Sequence, residues 1–238
     1  TGVELSGNSL ASISLNAGTV VCNADYTHAR VRLLDAGAGD KLEPSCSGFV
    51  LMLGVRGAYP RLAHHNIFFS DDYPREFDDI FARKTAAEDP TLYVCITSKT
   101  DPAHAPPGCE NWFVLANAPY LSAAYDWQLH ARNYAESIKR MLARQAGLDS
   151  RQIVTEKIIT PADLQQRYGG NRGAIYGFSS NSMSAAFRRP ANRDRKIRGL
   201  YYASGSAHPG GGVPLVTLAL MWVHVQRVPK AAMMPPRA

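Results

Sequence analysis

Apolar and β-branched residues along this chain gather in short runs punctuated by Pro, Gly and Asp, and only one long stretch carries helical spacing. TVVCNAD (Thr19–Asp25) is a short β-branched run ending in polar turn formers, and it predicts a buried strand that belongs with a strand at the other end of the chain. GFVLMLGV (Gly48–Val55), HHNIFF (His64–Phe69), TLYVCITS (Thr91–Ser98), NWFVLANA (Asn111–Ala118) and QIVTEKIIT (Gln152–Thr160) predict further strands. Their connections are mostly short or helical, which favours a mixed or antiparallel sheet over repeated βαβ units. Between them, DDYPREFDDIFARK offers Asp72 as a cap, Pro74 in the first turn, and Phe77, Ile80 and Phe81 along one side of a short helix. The longest helix is expected from Asp126 to about Gln145. There Tyr134, Ile138, Met141 and Leu142 share a core-facing side, and Gly147 can end it. TPADLQQRYGG predicts a short helix capped by Thr160. LYYA (Leu200–Ala203) predicts a last strand, followed by a glycine turn and an apolar helix.

Composition narrows the class. With 238 residues, 45% of them hydrophobic and 19% charged, the chain can bury a sizeable core, and disorder is excluded as its general state. A formal charge of +6 suits an anionic partner. Much of that excess sits in RRPANRDRKIR (Arg188–Arg198), whose plain reading is a solvated loop. No aromatic residue interleaves with it and no zinc-finger spacing is present, so no nucleic-acid partner is assigned. The cysteines Cys22, Cys46, Cys95 and Cys109 are scattered without a Cys-x-x-Cys pair and read as buried reduced thiols. His64 and His65, as strand neighbours, are expected on opposite faces with no cysteine or carboxylate at ligand spacing, and no metal is assigned. The first residues lack the pattern of a secretory signal. The longest apolar run, around Val213 to Val225, is too short to span a bilayer and contains Pro214 and His224, which leaves surface attachment open.

ASGSAHPGGGVPLVTLAL (Ala203–Leu220) carries the candidate chemistry. A strand, a glycine turn and a helix in succession expose unpaired backbone N–H groups and the positive end of a helix dipole, and missing Cβ atoms let a polar or anionic ligand come close. A pyrophosphate or the polar edge of a flavin fits that description, whereas a Walker loop is excluded by the missing Lys-Ser/Thr pair. A second glycine patch, RVRLLDAGAGDKLEP, has Leu42 where a dinucleotide fingerprint needs its third glycine and Pro44 where the helix should run, and reads as a surface loop.

GLYYASGSAHPGGGVPLVTL resembles the C-terminal signature of the phytoene desaturase family, carotenoid-processing members of the FAD-containing amine oxidase superfamily. TVVCNAD, LAHHNIFFSDDYPREFDDIF, DPTLYVCITSKTDPAHAPPGCENWFVLANAP and FRRPANRDRKIRGLYYASG agree in the same order, from about Thr19 to Leu218. The resemblance implies an α/β (α+β) fold: an incomplete Rossmann-like FAD domain formed by residues 1–34 and 187–238, and a substrate domain, residues 35–186, with a mixed or antiparallel sheet and helices. It implies FAD as cofactor and desaturation of a carotenoid precursor such as phytoene or diapophytoene. A carotenoid isomerase, another flavin oxidoreductase of the superfamily, or a cofactor-free binding module are the alternatives. Ser204, Gly205, Ser206, Gly210, Gly211, Gly212 and Val213 would lie against the cofactor, and His208 and Pro209 against the substrate. Asn23 would lie near the flavin or simply form a turn. Phe49, Leu51, Phe68, Tyr93, Trp112 and Phe113 would line a tunnel or pack a core. The flavin carries the hard chemistry, so no catalytic acid or base is assigned. The polyene substrate implies a cytoplasmic protein peripheral to a membrane. The family's Gly-x-Gly-x-x-Gly turn and an initiator Met are missing, so the chain is expected to be part of a longer protein, and its bulky, proline-rich end departs from the family pattern.

Overall fold

The computed structural model of the chain describes residues 2–7, 10–37, 42–181 and 188–227. It forms two compact units. One comprises the chain up to Ser45, Tyr168–Asn171 and the residues from Tyr176 onward; the other comprises Cys46–Arg167 and Arg172–Ile175.

In the second unit, β4 (Ser47–Arg56), β5 (His65–Phe68), β6 (Leu92–Cys95), β7 (Cys109–Ala118) and β8 (Ile153–Ile159) form a five-stranded sheet in the order β5-β6-β7-β4-β8. Every neighbouring pair is antiparallel, with Met52 opposite Phe113 and His65 opposite Cys95. The alternation of side chains along a strand then gives the sheet two unlike faces. On one face Leu51, Leu53, Leu92, Val94, Trp112 and Val114 are buried in a common cluster with Ile138, Met141 and Leu142 of α3 (Trp127–Ala146). Each such side chain contributes roughly 1.5–3 kcal/mol of burial. On the other face Ile67, Met52 and Phe113 keep 55%, 45% and 37% of their surface exposed.

The helix α3 starts and stops where the local chemistry demands. The Asp126 carboxylate accepts the Gln128 N–H at 2.8 Å. Gly147 ends the helix in the left-handed region at φ 73°, with its N–H donating to Leu142 O. Phe49 stacks on Trp127 at 5.2 Å and meets Tyr134 edge-on at 4.9 Å, so Phe49, Leu51 and Trp112 are core residues, not tunnel lining.

Helix α2 (Tyr73–Phe77) is capped by Asp72 as expected, then widens into a π turn over Asp78–Arg83. Glu76, Asp79 and Ile80 are buried, while Phe77 is left 38% exposed. α4 (Pro161–Tyr168) opens with a reciprocal cap in which the Asp163 carboxylate accepts from the Thr160 N–H and Oγ1, and Thr160 Oγ1 accepts from the Asp163 N–H.

The first unit is built differently. β1 (Gly2–Gly7) and β2 (Leu10–Asn16) form an antiparallel hairpin not expected from the residue pattern; its residues 8 and 9 lie outside the described residues. β3 (Val20–Cys22) pairs in parallel with β9 (Leu200–Tyr202), joining the two ends of the chain as expected, although β3 is half-buried instead of buried. After β3 the chain forms α1 (Tyr26–His28), which continues as a π turn over Ala29–Leu33, so the start of the second glycine patch, Arg30–Leu33, is helical instead of the expected surface loop; its residues 38–41 lie outside the described residues. A small core of Ala29, Leu200, Tyr202 and Ala207 holds this unit.

The arginine segment is not a solvated loop throughout. Arg189 is buried and donates to the carbonyls of Gly205, Phe178 and Tyr176 at 2.8, 2.9 and 3.3 Å. Asp194, also buried, accepts from the backbone N–H groups of Lys196 and Ile197, from Tyr202 Oη at 2.8 Å and from Arg30 at 3.4 Å. Burial alone would raise the Asp194 carboxyl, but these donors outweigh it and hold it below the usual carboxylate range.

Candidate functional site

Parallel pairing of β3 and β9 brings both strands to a stop at one level. Beyond them the Asn23 side-chain amide donates to Ala203 O at 2.5 Å, and the Ala203 N–H donates to Cys22 O at 2.9 Å. Asn23 is thereby a turn-forming residue that ties the two strand ends together. Ser204 and Ser206 are buried, their hydroxyls 3.0 Å apart, and Ser206 Oγ also accepts the Tyr26 N–H at 2.7 Å. Both hydroxyls act inside the protein, locking the start of α1 onto the turn.

The glycines divide into packing and open positions. A Cβ on Gly205 would stand 3.3 Å from Gly211 Cα, one on Gly211 would stand 3.3 Å from the Tyr176 ring, and one on Gly210 would stand 3.4 Å from the Arg189 guanidinium. Close approach of protein to protein explains those three. At Gly212 (φ +104°) a Cβ would meet nothing nearer than Pro214 Cδ at 4.0 Å, and Val213 is 81% exposed. This is the start of α5 (Val213–Arg227), whose first-turn N–H groups have no acceptor within the helix. Of the seven residues expected at a cofactor, Gly212 and Val213 therefore offer open backbone at the positive end of a helix, and the other five form the support beneath. Bare N–H donors there fit the polar edge of a flavin or another anionic ring.

His208 and Pro209 follow the same turn. His208 is exposed, its N–H donates to Pro190 O, and its carbonyl accepts from Asn192 Nδ2 at 2.6 Å. With Tyr26, Arg30, Arg193 and Trp222, His208 lines a cleft of about 770 Å³. That cleft is rich in cationic side chains and can take an anionic group.

In the other unit the apolar face of the sheet presents Met52, Ile67, Tyr93 and Phe113, with the Tyr93 and Phe113 rings 6.4 Å apart. Of the residues expected to line a tunnel, Tyr93 and Phe113 lie on this face. At its edge the expected divergence of His64 and His65 is overturned. The chain bends at His64, just before β5, and the two imidazoles lie 4.3 Å apart. Cys95, thirty positions on, faces His65 across the sheet, and one donor atom from each of the three lies within 4.8 Å of the others. No spacing in the sequence signals this group, because strand register and the bend at His64 create it. None of the four cysteines is in a disulfide and all are partly buried; burial pushes the Cys46 thiol up to about 11.

Comparison with known proteins adds chemistry to this geometry. The chain is 42% identical over 215 residues to 4,4'-diapolycopene oxygenase of Methylomonas sp, a match covering 86% of the chain and 43% of that protein. It is 37% identical over 227 residues to 1-hydroxycarotenoid 3,4-desaturase of Flavobacterium sp. (strain P99-3), covering 91% and 46%. It is 38% identical over 184 residues to 4,4'-diaponeurosporene oxygenase of Staphylococcus aureus (strain MW2), covering 75% and 36%. The chain is a homologue of these carotenoid-modifying oxygenases and desaturases. It spans less than half the length of these relatives. No protein-family profile matches it. An oxidoreductase from Methanosarcina mazei shares the fold at a TM-score of 0.56 and 16% identity, over 94% of this chain and 48% of that one. For a homologue of carotenoid-modifying enzymes, the glycine turn with its open helix start and the apolar sheet face are the two candidate working surfaces.

Proposed function

We propose that this chain forms part of an FAD-dependent oxidoreductase that desaturates a carotenoid precursor such as phytoene or diapophytoene. The observation that carries the reading is the open helix start at Gly212–Val213, set at the carboxyl end of a parallel strand pair, the usual place for a nucleotide cofactor in such sheets. When bound there, the flavin supplies a hydride acceptor. The chain's own share is to hold and orient. The N–H groups of Gly212 and Val213 would donate to the polar ring edge, and the packed turn of Ser204 to Gly211 fixes where they point. Met52, Ile67 and Phe113 offer an oily surface that aligns a polyene and keeps water off it.

A membrane-surface location follows from an oily substrate. No helix among the described residues is long and apolar enough to cross a bilayer, but α5 exposes Leu218, Met221 and Trp222. Four cysteines without a disulfide suit a reducing compartment such as the cytoplasm.

The relatives' names support a second reading, in which the enzyme adds oxygen to a finished polyene. Product mass separates the two. The complete reading frame is expressed in cells that accumulate a C30 or C40 polyene, and the pigments are resolved by chromatography and mass spectrometry. Loss of hydrogen pairs is expected. Gain of oxygen without new double bonds supports the second reading, and an unchanged polyene removes both.

A further inference from the structure

We infer that His64, His65 and Cys95 form a three-ligand site for Zn²⁺ at the edge of the five-stranded sheet, a role independent of the flavin reading. Two imidazoles and a thiol are the donor set that zinc favours, and such a site leaves a fourth position for water or a second ligand. Their donor atoms already lie within 4.8 Å of one another. Zinc bonds of about 2.0–2.1 Å to nitrogen and about 2.3 Å to sulfur put tetrahedral donors roughly 3.3–3.6 Å apart, so a contraction of about 1 Å closes the site. Side-chain rotation alone can supply that on an accessible surface, where His65 is exposed and His64 and Cys95 are half-buried.

The surroundings orient the ligands as metal sites require. His64 Nδ1 is paired with Thr100 Oγ1 at 2.6 Å, and His65 Nδ1 with Tyr93 Oη at 2.8 Å. One nitrogen of each ring is thus engaged by a hydroxyl, and partners of this kind fix the tautomer. Tyr93 also stacks on His65, with centroids 5.9 Å apart and planes inclined by 19°, which limits rotation of that ring. The backbone supports the same convergence. His64 O accepts the Ile96 N–H at 2.8 Å, and His65 pairs with Cys95 in register, so the start of β5 is tied to the end of β6 whatever the side chains do. Zinc there would clasp those two strands.

The test is a competition titration of the metal-free 238-residue chain with Zn²⁺ against a chromogenic chelator, repeated with Co²⁺ as a spectroscopic probe. One ion per chain is expected, and the Co²⁺ form should show a thiolate charge-transfer band and tetrahedral ligand-field bands. Cys95→Ser and His65→Ala should each weaken binding at least tenfold, and Cys95→Ser should abolish the thiolate band. Tyr93→Phe and Thr100→Val, which remove only the partners of the ligands, should weaken it about 10-fold or more. Cys109→Ser should bind as the parent chain does. Circular dichroism of each variant confirms folding, and should Cys95→Ser not fold, His64→Gln together with the Co²⁺ spectrum of the parent chain decides. Absence of stoichiometric binding, or parent-like affinity in His65→Ala or in folded Cys95→Ser, overturns the site.

Discussion

The two units of this chain solve the problem of cohesion in opposite ways. The second unit holds a broad sheet against α3 through large apolar side chains such as Trp112, Ile138 and Leu142. Among the described residues the first unit has two two-stranded sheets, one of them parallel, and its packed cluster is small, with Ala29, Leu200, Tyr202 and Ala207 at its centre. Its order comes from polar knots, with Arg189 gathering three carbonyls and Asp194 gathering four donors. A unit held by polar knots is sensitive to the loss of one charge, while a unit held by packing is sensitive to the loss of volume.

The largest effect separating the two should come from Asp194→Ala. It leaves Arg30 and the Tyr202 hydroxyl without their buried partner, and removing one member of such a group costs about 3–5 kcal/mol. Residue-resolved hydrogen exchange should show β9 and α1 opening while α3 and β4 keep their protection. Equal loss in both units would mean that they unfold as one. Leu142→Ala should do the reverse, costing about 2–5 kcal/mol for a fully buried leucine and weakening α3 and β7 before β9.

The smallest expected effect is one of pH, with opposite signs at two carboxylates. Asp194 has a depressed pKa in the folded chain. Its stabilisation is fully present above the ordinary Asp value of about 3.9 and is lost as pH falls through the lower folded value. Glu76 is raised by burial. Its Oε2 accepts from Thr91 Oγ1 at 2.7 Å, but Oε1 is buried without a partner. Its ionised form therefore penalises the fold above its folded pKa, and that penalty is relieved as pH falls toward the ordinary Glu value of about 4.3. Denaturant titrations at several pH values should show the second unit gaining a little stability on mild acidification, and Glu76→Gln should flatten that dependence. A wild-type slope that persists in Glu76→Gln would assign it to another group.

How much could be read without coordinates differed between the units in the same physical way. In the second unit, side-chain period and punctuation located each strand, the Asp126 and Asp72 caps and the Gly147 stop, because packing follows pattern. What failed there depended on register or on an added residue per turn. The helix continues as a π turn after Phe77, with Glu76 buried and Phe77 partly exposed, and a bend at His64 brought two histidines together opposite Cys95. In the first unit, the charged run Arg188–Arg198 looked like a solvated surface because a buried Arg or Asp leaves no local signature; its partners come from elsewhere in the chain. The triple glycine was legible as a close approach. Only coordinates show that two of the three glycines pack against Tyr176 and Arg189, and that Gly212 alone is open.

The most direct measurement is the flavin content of the complete gene product carrying Gly212→Leu, set beside its desaturation of a polyene in membranes. A leucine there has room, since a Cβ meets only Pro214 Cδ at 4.0 Å, but at φ +104° it is strained, so Gly212→Ala serves as the control for backbone strain alone. The account predicts that Gly212→Leu folds yet loses bound flavin and product together, beyond any loss seen with alanine. A folded Gly212→Leu protein that keeps parental flavin absorbance and turnover would contradict it.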